Sequence, residues 1–279
     1  MAHLVQMRQR IKAVETIRKI THAMRLISMS THSRLRNKKQ QLETYKKAFQ
    51  RLAVLIKQET NKQKLDQLQT LASDTHLIIL VASQKGLCGS FNSHLFRYFE
   101  REALLQDNYS IITVGKYATE YIRDQRHKTP LLAFNNFNST QFVSIAQQIT
   151  QIILSRIDDF QTVTVYSNFP RTFFAQKPQK TFLLPLPDMH DEEQEALPSD
   201  LVLEQTPQEL SLYTQNLMIT VTLQELLFES LLSEQAARFI SMDNSTRNAE
   251  NLLNAMKLEY NKIRQAAITR ELTELASSI

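Results

Sequence analysis

From Leu4 the apolar residues recur at Met7, Ile11, Val14, Ile17, Ile20, Met24 and Ile27, in steps of three and four. That spacing marks one stripe of a helix and suits a coiled-coil seam. Neither Gly nor Pro occurs from Ala2 to Thr60, so one helix is expected over that whole span. The stripe fades between Ser28 and Lys39 and resumes at Leu42, Tyr45, Phe49, Leu52 and Ile56. From about Lys57 to Ser73 the pattern dissolves into polar linker.

The period then changes. His76 to Ser83 is a short apolar run of the buried-strand kind, ending in Gln84-Lys85-Gly86-Leu87-Cys88-Gly89-Ser90. A helix is expected from about Asn92, with Leu95, Phe96 and Phe99 on one face. Tyr109 to Val114 predicts a strand, Lys116 to Arg126 a helix, and Leu131 to Phe134 a weak strand. Thr140 to Phe160 predicts a helix through Phe142, Ile145, Ile149, Ile152, Ile153 and Ile157. Thr162 to Ser167 predicts a strand, and Arg171 to Ala175 and Lys180 to Leu184 further extended segments. Strands alternating with helices imply an α/β layer with parallel pairs. Pro185, Pro187, Pro198 and Pro207, with acids from Asp188 to Glu195, mark an irregular, exposed connection.

After Pro207 a second long helix is expected. Its last stretch, Leu231 to Ile279, has no Gly and no Pro and would span about 70 Å. From Ser233 to Asn251 apolar residues are sparse: Ala236, Ala237, Phe239, Ile240 and Met242. A helix polar nearly all round cannot hold itself against one core, so it is either solvent-bridging or loosely enclosed. Further along, Leu252, Ala255, Leu258, Ile263 and Leu272 form the stripe expected to want a partner. Small residues such as Ala236, Ala237, Ala266 and Ala267 would permit close approach. The economical architecture is a long antiparallel coiled coil of the N- and C-terminal helices, with a Rossmann-like α/β domain inserted between them. The expected division is 1–60 N-terminal helix, 74–186 α/β domain, 187–207 linker and 208–279 C-terminal helix. A helical bundle within one ordinary domain is the alternative, and so long a polar stretch would be hard to bury in it.

Charge sharpens the picture. Between residues 1 and 40 stand Arg8, Arg10, Lys12, Arg18, Lys19, Arg25, Arg34, Arg36, Lys38 and Lys39, against Glu15 alone. The bland account of such a face is a solvated surface, but a bias this one-sided favours an acidic or phosphate-bearing partner. Over all 279 residues the net charge is +5, which selects no partner class. A single cysteine, Cys88, excludes an intramolecular disulfide. No apolar run is long enough to span a membrane, so membrane association is expected through partners. The basic N-terminus lacks a signal peptide's apolar core.

Catalytic chemistry finds no foothold. Gly86-Leu87-Cys88-Gly89 follows a strand, yet it matches neither GxGxxG nor GxxxxGK[ST], and a tight strand-to-helix turn explains it better. Cys88 has no placed His or Asp and is expected to be a small packed residue. His3, His22, His32 and His76 show no ligand spacing. No acid/base pair stands out.

Three stretches carry a resemblance. The C-terminal run SEQAARFISMDNSTRNAENLLNAMKLEYNKIRQAAITRELTEL, the N-terminal RQRIKAVETIRKITHAM and the central GLCGSFN resemble, in that order, the gamma chains of F-type ATP synthases. The resemblance implies a non-catalytic rotor shaft inside a ring of alpha and beta subunits, with a foot against epsilon and the c-ring. It implies no cofactor, no metal and no nucleic acid, and a peripheral place on the cytoplasmic side of a bacterial inner membrane. Arg264, Gln265 and Thr269 match positions that catch beta-subunit loops. Met24 and Arg238 match a shaft pair involved in coupling efficiency. Lys85 keeps the cation of a second catching contact without the bidentate fork of the family's Arg. Gln84 stands where the family has Asp. Arg25-Leu26-Ile27-Ser28 replaces a common Glu-Met-Val-Ala, which adds charge. Leu201, Leu203 and Glu204 occupy the foot stretch that in the family reads Tyr-Leu-Tyr-Glu-Pro. Two rivals are an α/β enzyme with helical appendages, which would turn over a nucleotide alone, and a basic coiled-coil module for nucleic acid, whose binding would fall steeply with salt.

Overall fold

Strand β1 (His76–Val81) is the centre of the α/β body, because every one of its residues after His76 is buried. A strand buried on both faces needs helices on both sides of its sheet. The computed structural model describes residues 2–60, 75–103, 108–185 and 206–277. Within it β1 lies between β2 (Tyr109–Val114) and β4 (Thr162–Thr172), parallel to each. β3 (Leu132–Phe134) adds parallel to β2, and β5 (Ala175–Leu184) adds antiparallel to β4, giving the order β3-β2-β1-β4-β5. The extended segments expected at 171–175 and 180–184 are therefore the end of β4, a turn at Phe173-Phe174 and a longer β5. Pairing with β4 carries β5 past the short apolar runs that sequence alone marks.

Alternation divides β1 between two cores. Ile78, Leu80 and Ala82 join Leu95, Phe99, Ala118, Ile122 and Tyr166, packing under α2 (Phe91–Ala103) and α3 (Lys116–Arg126). Leu77, Ile79 and Val81 join a larger core formed with α4 (Phe142–Ser155) and the two long helices, α1 (Ala2–Thr60) and α5 (Pro207–Ser277). From α5 that core takes Ile219, Leu223, Leu227, Phe228, Leu231 and Leu232, and from α1 it takes Leu35. The helix expected at Thr140–Phe160 ends at Ser155, and a 3-10 turn at Ile157–Asp159 finishes the segment.

The chain divides into two compact units, and both divisions fall inside the long helices. One unit is Met1–Thr31 with Arg238–Ile279, and the other is His32–Ala237. In the first, α1 and α5 pair antiparallel: Glu15 meets Lys257, Arg18 meets Glu250 and Arg25 meets Asp243, so one number rises as the other falls.

Two expectations about facing need correction. Along α1 in this first unit Leu4, Met7, Ile11, Val14, Arg18, Thr21, Arg25 and Ser28 turn inward in three-four alternation, with Glu15 and Met24 half-buried beside that line. Ile17, Ile20 and Ile27 belong to the expected stripe but are more than half exposed. The apolar run drifts by one position from the heptad after Val14, and the heptad wins because the seam must keep facing its partner helix. Along α5, Ala249, Leu253 and Met256 are buried, whereas Leu252, Leu258 and Leu272 are at least half exposed and Ala255 is exposed. Ile263 alone of that stripe is half-buried.

The second unit overturns a third expectation. Ser233, Glu234, Ala236 and Ala237 were expected on a helix too polar to bury, yet all four are buried. Small and polar side chains are tolerated there because the sheet comes close: Ser233 Oγ donates to the β4 backbone at Asn168 O, 3.5 Å away. Likewise the faded stretch of α1 is not idle, since His32 and Leu35 are buried in this unit.

Candidate partner-binding site

The GLCG stretch shapes the sheet's open end. Leu87 and Gly89 both take positive φ, 63° and 61°, which turns the chain sharply from β1 into α2. Asn92 in the first turn of α2 ties the loop down: its Oδ1 accepts from Ser83 N at 3.1 Å and its Nδ2 donates to Ser83 Oγ at 2.7 Å. Cys88 is buried, with Sγ 3.7 Å from Ser83 Oγ. It packs with Phe91 and Ala237 of α5.

That contact has a chemical consequence. In an open α/β sheet a ligand binds beyond the strand ends where the strand order reverses, here between β1 and β4. Here α5 fills the place. Ala237 lies against Cys88 and Phe91, Ser233 reaches the β4 backbone at Asn168, and Asn168 Nδ2 donates to Phe91 O at 3.3 Å.

The neighbouring helix N-terminus is filled as well. Gln84 Oε1 accepts from Lys116 N at 3.3 Å and from Phe137 N at 3.1 Å, while its Nε2 donates to Asn135 O at 2.6 Å. Gln84 thus holds the position an anion would take at the start of α3. Among the described residues no group of three His, Cys, Asp or Glu is placed to hold a metal. An open hollow lined by Asn37, Gln40, Gln41, Thr44 and Tyr45 draws its walls from α1 alone and assembles no acid/base pair.

Among the described residues, those expected to meet partners lie instead on the helices and on the GLCG turn. Arg264, Gln265 and Thr269 lie within two turns of α5, all exposed, and Thr269 Oγ1 donates to Gln265 O at 3.0 Å. The structure brings these three together in the first unit. Met24 is half-buried there, its carbonyl accepting from Ser28 Oγ at 2.8 Å, and Arg238 is buried. Lys85 is exposed, in the second unit. Leu201, Leu203 and Glu204 lie outside the described residues.

Sequence reasoning missed the polar part of the seam. Arg25 Nη1 donates to Asp243 Oδ1 at 2.6 Å and its Nη2 lies 3.1 Å from His22 Nδ1. Asp243 also receives Arg247 at 2.9 Å, four residues on. The hydrogen bond from Arg25, followed by the nearby Arg247 charge, holds the Asp243 carboxyl below its ordinary range, against the opposing effect of burial. Thr246 Oγ1 donates to Thr21 Oγ1 at 3.0 Å, one level along. The heptad spacing carried the signal: positions 18, 21, 25 and 28 follow from 4, 7, 11 and 14 when the count is kept strict.

A family model described as ATP synthase matches residues 3–279. The ATP synthase gamma chain of Paramagnetospirillum magneticum is 30% identical, covering 99% of this chain and 98% of that one. That of Pelagibacter ubique is 28% identical over the same shares. Among solved structures, a chain from the OSCP/F1/c-ring part of the Euglena gracilis mitochondrial ATP synthase is similar in fold, with TM-score 0.70 at 16% identity. That match covers 99% of this chain and 93% of the other. A chain of the same organism's ATP synthase rotor is similar with TM-score 0.64, over 96% and 99%.

Proposed function

We propose, on the premise that the chain belongs to the ATP synthase gamma-chain family, that its two units divide the work of a torque-bearing shaft and that neither performs chemistry. The chain is the central-stalk subunit of an F-type ATP synthase, and through that complex a peripheral part of a membrane machine. No described helix is long and apolar enough to cross a membrane.

The unit of Met1–Thr31 and Arg238–Ile279 turns inside the ring of alpha and beta subunits. The unit of His32–Ala237 meets epsilon and the c-ring. One observation carries the assignment: the two-helix unit turns Ile17, Ile20, Leu26, Ile27, Leu252 and Leu258 outward while Arg18, Arg25 and Thr246 line its inside. A free-standing pair would gain by the reverse, since each large apolar side chain buried is worth about 1.5–3 kcal/mol. Outward apolar residues mixed with cations fit a surrounding sleeve of protein. Twelve cations against six acids in that unit favour acidic loops on the sleeve.

Arg264, Gln265 and Thr269 catch beta-subunit loops, and Lys85 makes a second catch. Met24 and Arg238 set how tightly rotation is coupled. Leu201, Leu203 and Glu204 meet the c-ring. Exposed contacts of this kind are each worth about 0–1 kcal/mol, which suits bonds made and broken every turn. The filled sheet crevice supports a non-catalytic role, and the bacterial relatives support the cytoplasmic side of a bacterial inner membrane.

The test is purification of the tagged chain from its membranes. Alpha, beta, epsilon and c chains should accompany it, and replacing Arg264 and Gln265 together by Ala should lower ATP turnover of the reconstituted complex. Normal assembly with unchanged turnover would remove those two residues from the catch.

A further inference from the structure

A seam made of heptads has an inherent ambiguity. Sliding one helix by seven residues returns every inward position to an inward position, so spacing alone does not choose the register. In the two-helix unit the apolar seam is weak where the ambiguity matters. Between Val14 and Ser28 the inward residues of α1 are Arg18, Thr21, Met24 and Arg25, and the matching stretch of α5 carries Met242, Asp243, Thr246, Ala249 and Glu250, so its large apolar members are two flexible methionines. Packing of small and polar groups discriminates poorly between registers.

Charge discriminates well. Arg25–Asp243 at 2.6 Å is shorter than the cross-helix pairs Arg18–Glu250 at 3.4 Å and Glu15–Lys257 at 3.6 Å, and Asp243 is the least exposed of these six side chains at 16%. Arg247 braces the acid from its own helix at 2.9 Å. A slip of one heptad in one direction gives Arg25 a new acid in Glu250 but sets Arg18 against Lys257. A slip in the other direction sets Glu15 against Glu250 and moves Asp243 from Arg25 to Arg18, leaving Arg25 without its acid. Either way a like-charge contact replaces an attractive one.

We propose that Arg25, through Asp243, is a positioning residue that locks the axial register of the α1–α5 pair. Resting on the central-stalk reading above, its consequence is mechanical. Twisting a supercoiled pair drives its helices to slide along each other, and a locked register delivers the twist as common rotation instead. The rest of the seam holds the helices together, and Arg25 decides which residues face each other.

The test uses the full chain in the assembled complex, with Cys88 replaced by Ser and spin labels on cysteines at the exposed positions Lys19 and Asn248. Pulsed dipolar spectroscopy reads the register; the ratio of ATP-driven ion uptake to ATP hydrolysis in proteoliposomes reads coupling. The wild-type seam should give one distance. Arg25→Asp should give a second, longer distance with its population raised about fivefold, the change a half-buried pair carries, and a lower coupling ratio with hydrolysis retained. Asp243→Arg alone should do the same, and the double exchange Arg25→Asp with Asp243→Arg should restore both readouts.

If the reversal prevents assembly, Arg25→Leu replaces it, since an apolar side chain suits a seam; two distances are again expected. A single distance in Arg25→Leu, or a double exchange that assembles without restoring coupling, overturns the lock. Failure of the wild-type chain to assemble with alpha and beta would instead overturn the central-stalk reading, so the two failures are told apart.

Discussion

Glu229 Oε1 lies 3.7 Å from Lys39 Nζ, with the carboxylate buried between α5 and α1 in the His32–Ala237 unit. Lys39 has a second acid in Glu43 at 3.5 Å, while two turns along α1 Lys46 holds Glu225 at 2.6 Å. Burial first, and then the like charge of Glu225, pushes the Glu229 carboxyl above its ordinary range; Lys39 and Lys46 pull it back only in part. The pair joins the two long helices at an energetic cost.

A carboxyl raised by folding binds its proton more tightly in the fold than in the unfolded chain. The ionised fold therefore carries a penalty above the folded value, and the penalty is relieved as pH falls through that value toward the ordinary one. Glu229→Gln should melt about 1–3 °C higher than wild type at pH 7, by circular dichroism. The advantage should vanish below about pH 4, where the wild-type side chain is neutral too. A variant that melts lower at pH 7 contradicts this account.

Gln84 accepts two backbone N–H groups and donates to a third strand's loop. Gln84→Ala leaves Lys116 N–H and Phe137 N–H without that acceptor, and the half-buried site should lose about 1–2 kcal/mol in urea unfolding. Gln84→Glu keeps the acceptors but cannot donate to Asn135 O. Its loss should be smaller than that of Ala, and an equal loss would mean the acceptor role is unimportant.

Ala237 fills the crevice beside Cys88 and Phe91. Ala237→Leu should overpack that contact and cost about 1–3 kcal/mol. Ala237→Gly should leave a smaller defect, near the helix penalty of about 1 kcal/mol. Equilibrium unfolding of the three chains ranks them; a Leu variant as stable as wild type would show the crevice to be open.

Gly115 takes φ 94° at the start of α3, and a Cβ there would run into the carbonyl oxygen of Ala82. Gly115→Ala combines backbone strain of about 1–3 kcal/mol with that collision, and the neighbour is backbone that cannot rotate away. Soluble yield and melting temperature should both fall. A wild-type melting temperature would mean that β1 and β2 shift apart without cost.

The alternation of short apolar runs with helical stretches determined the parallel strands, because a strand buried on both faces needs a distinctive local composition. β2 and α3 run over the expected residues, Tyr109–Val114 and Lys116–Arg126. The absence of Gly and Pro determined that both ends would be long helices. The terminal motifs determined the family, since they are long and kept in order. What the local pattern could not decide was which side of each rod faces inward. Ile17 and Ile20 stand one position from Arg18 and Thr21, and each set fits a helix equally well. The tertiary structure chose the polar set, because ion pairs with Asp243 and Glu250 exist only when two helices are present. It also buried Ser233, Glu234, Ala236 and Ala237 where β4 and the Cys88 turn come close, and close approach favours small residues over large apolar ones. Periodicity belongs to one helix, whereas a seam belongs to two.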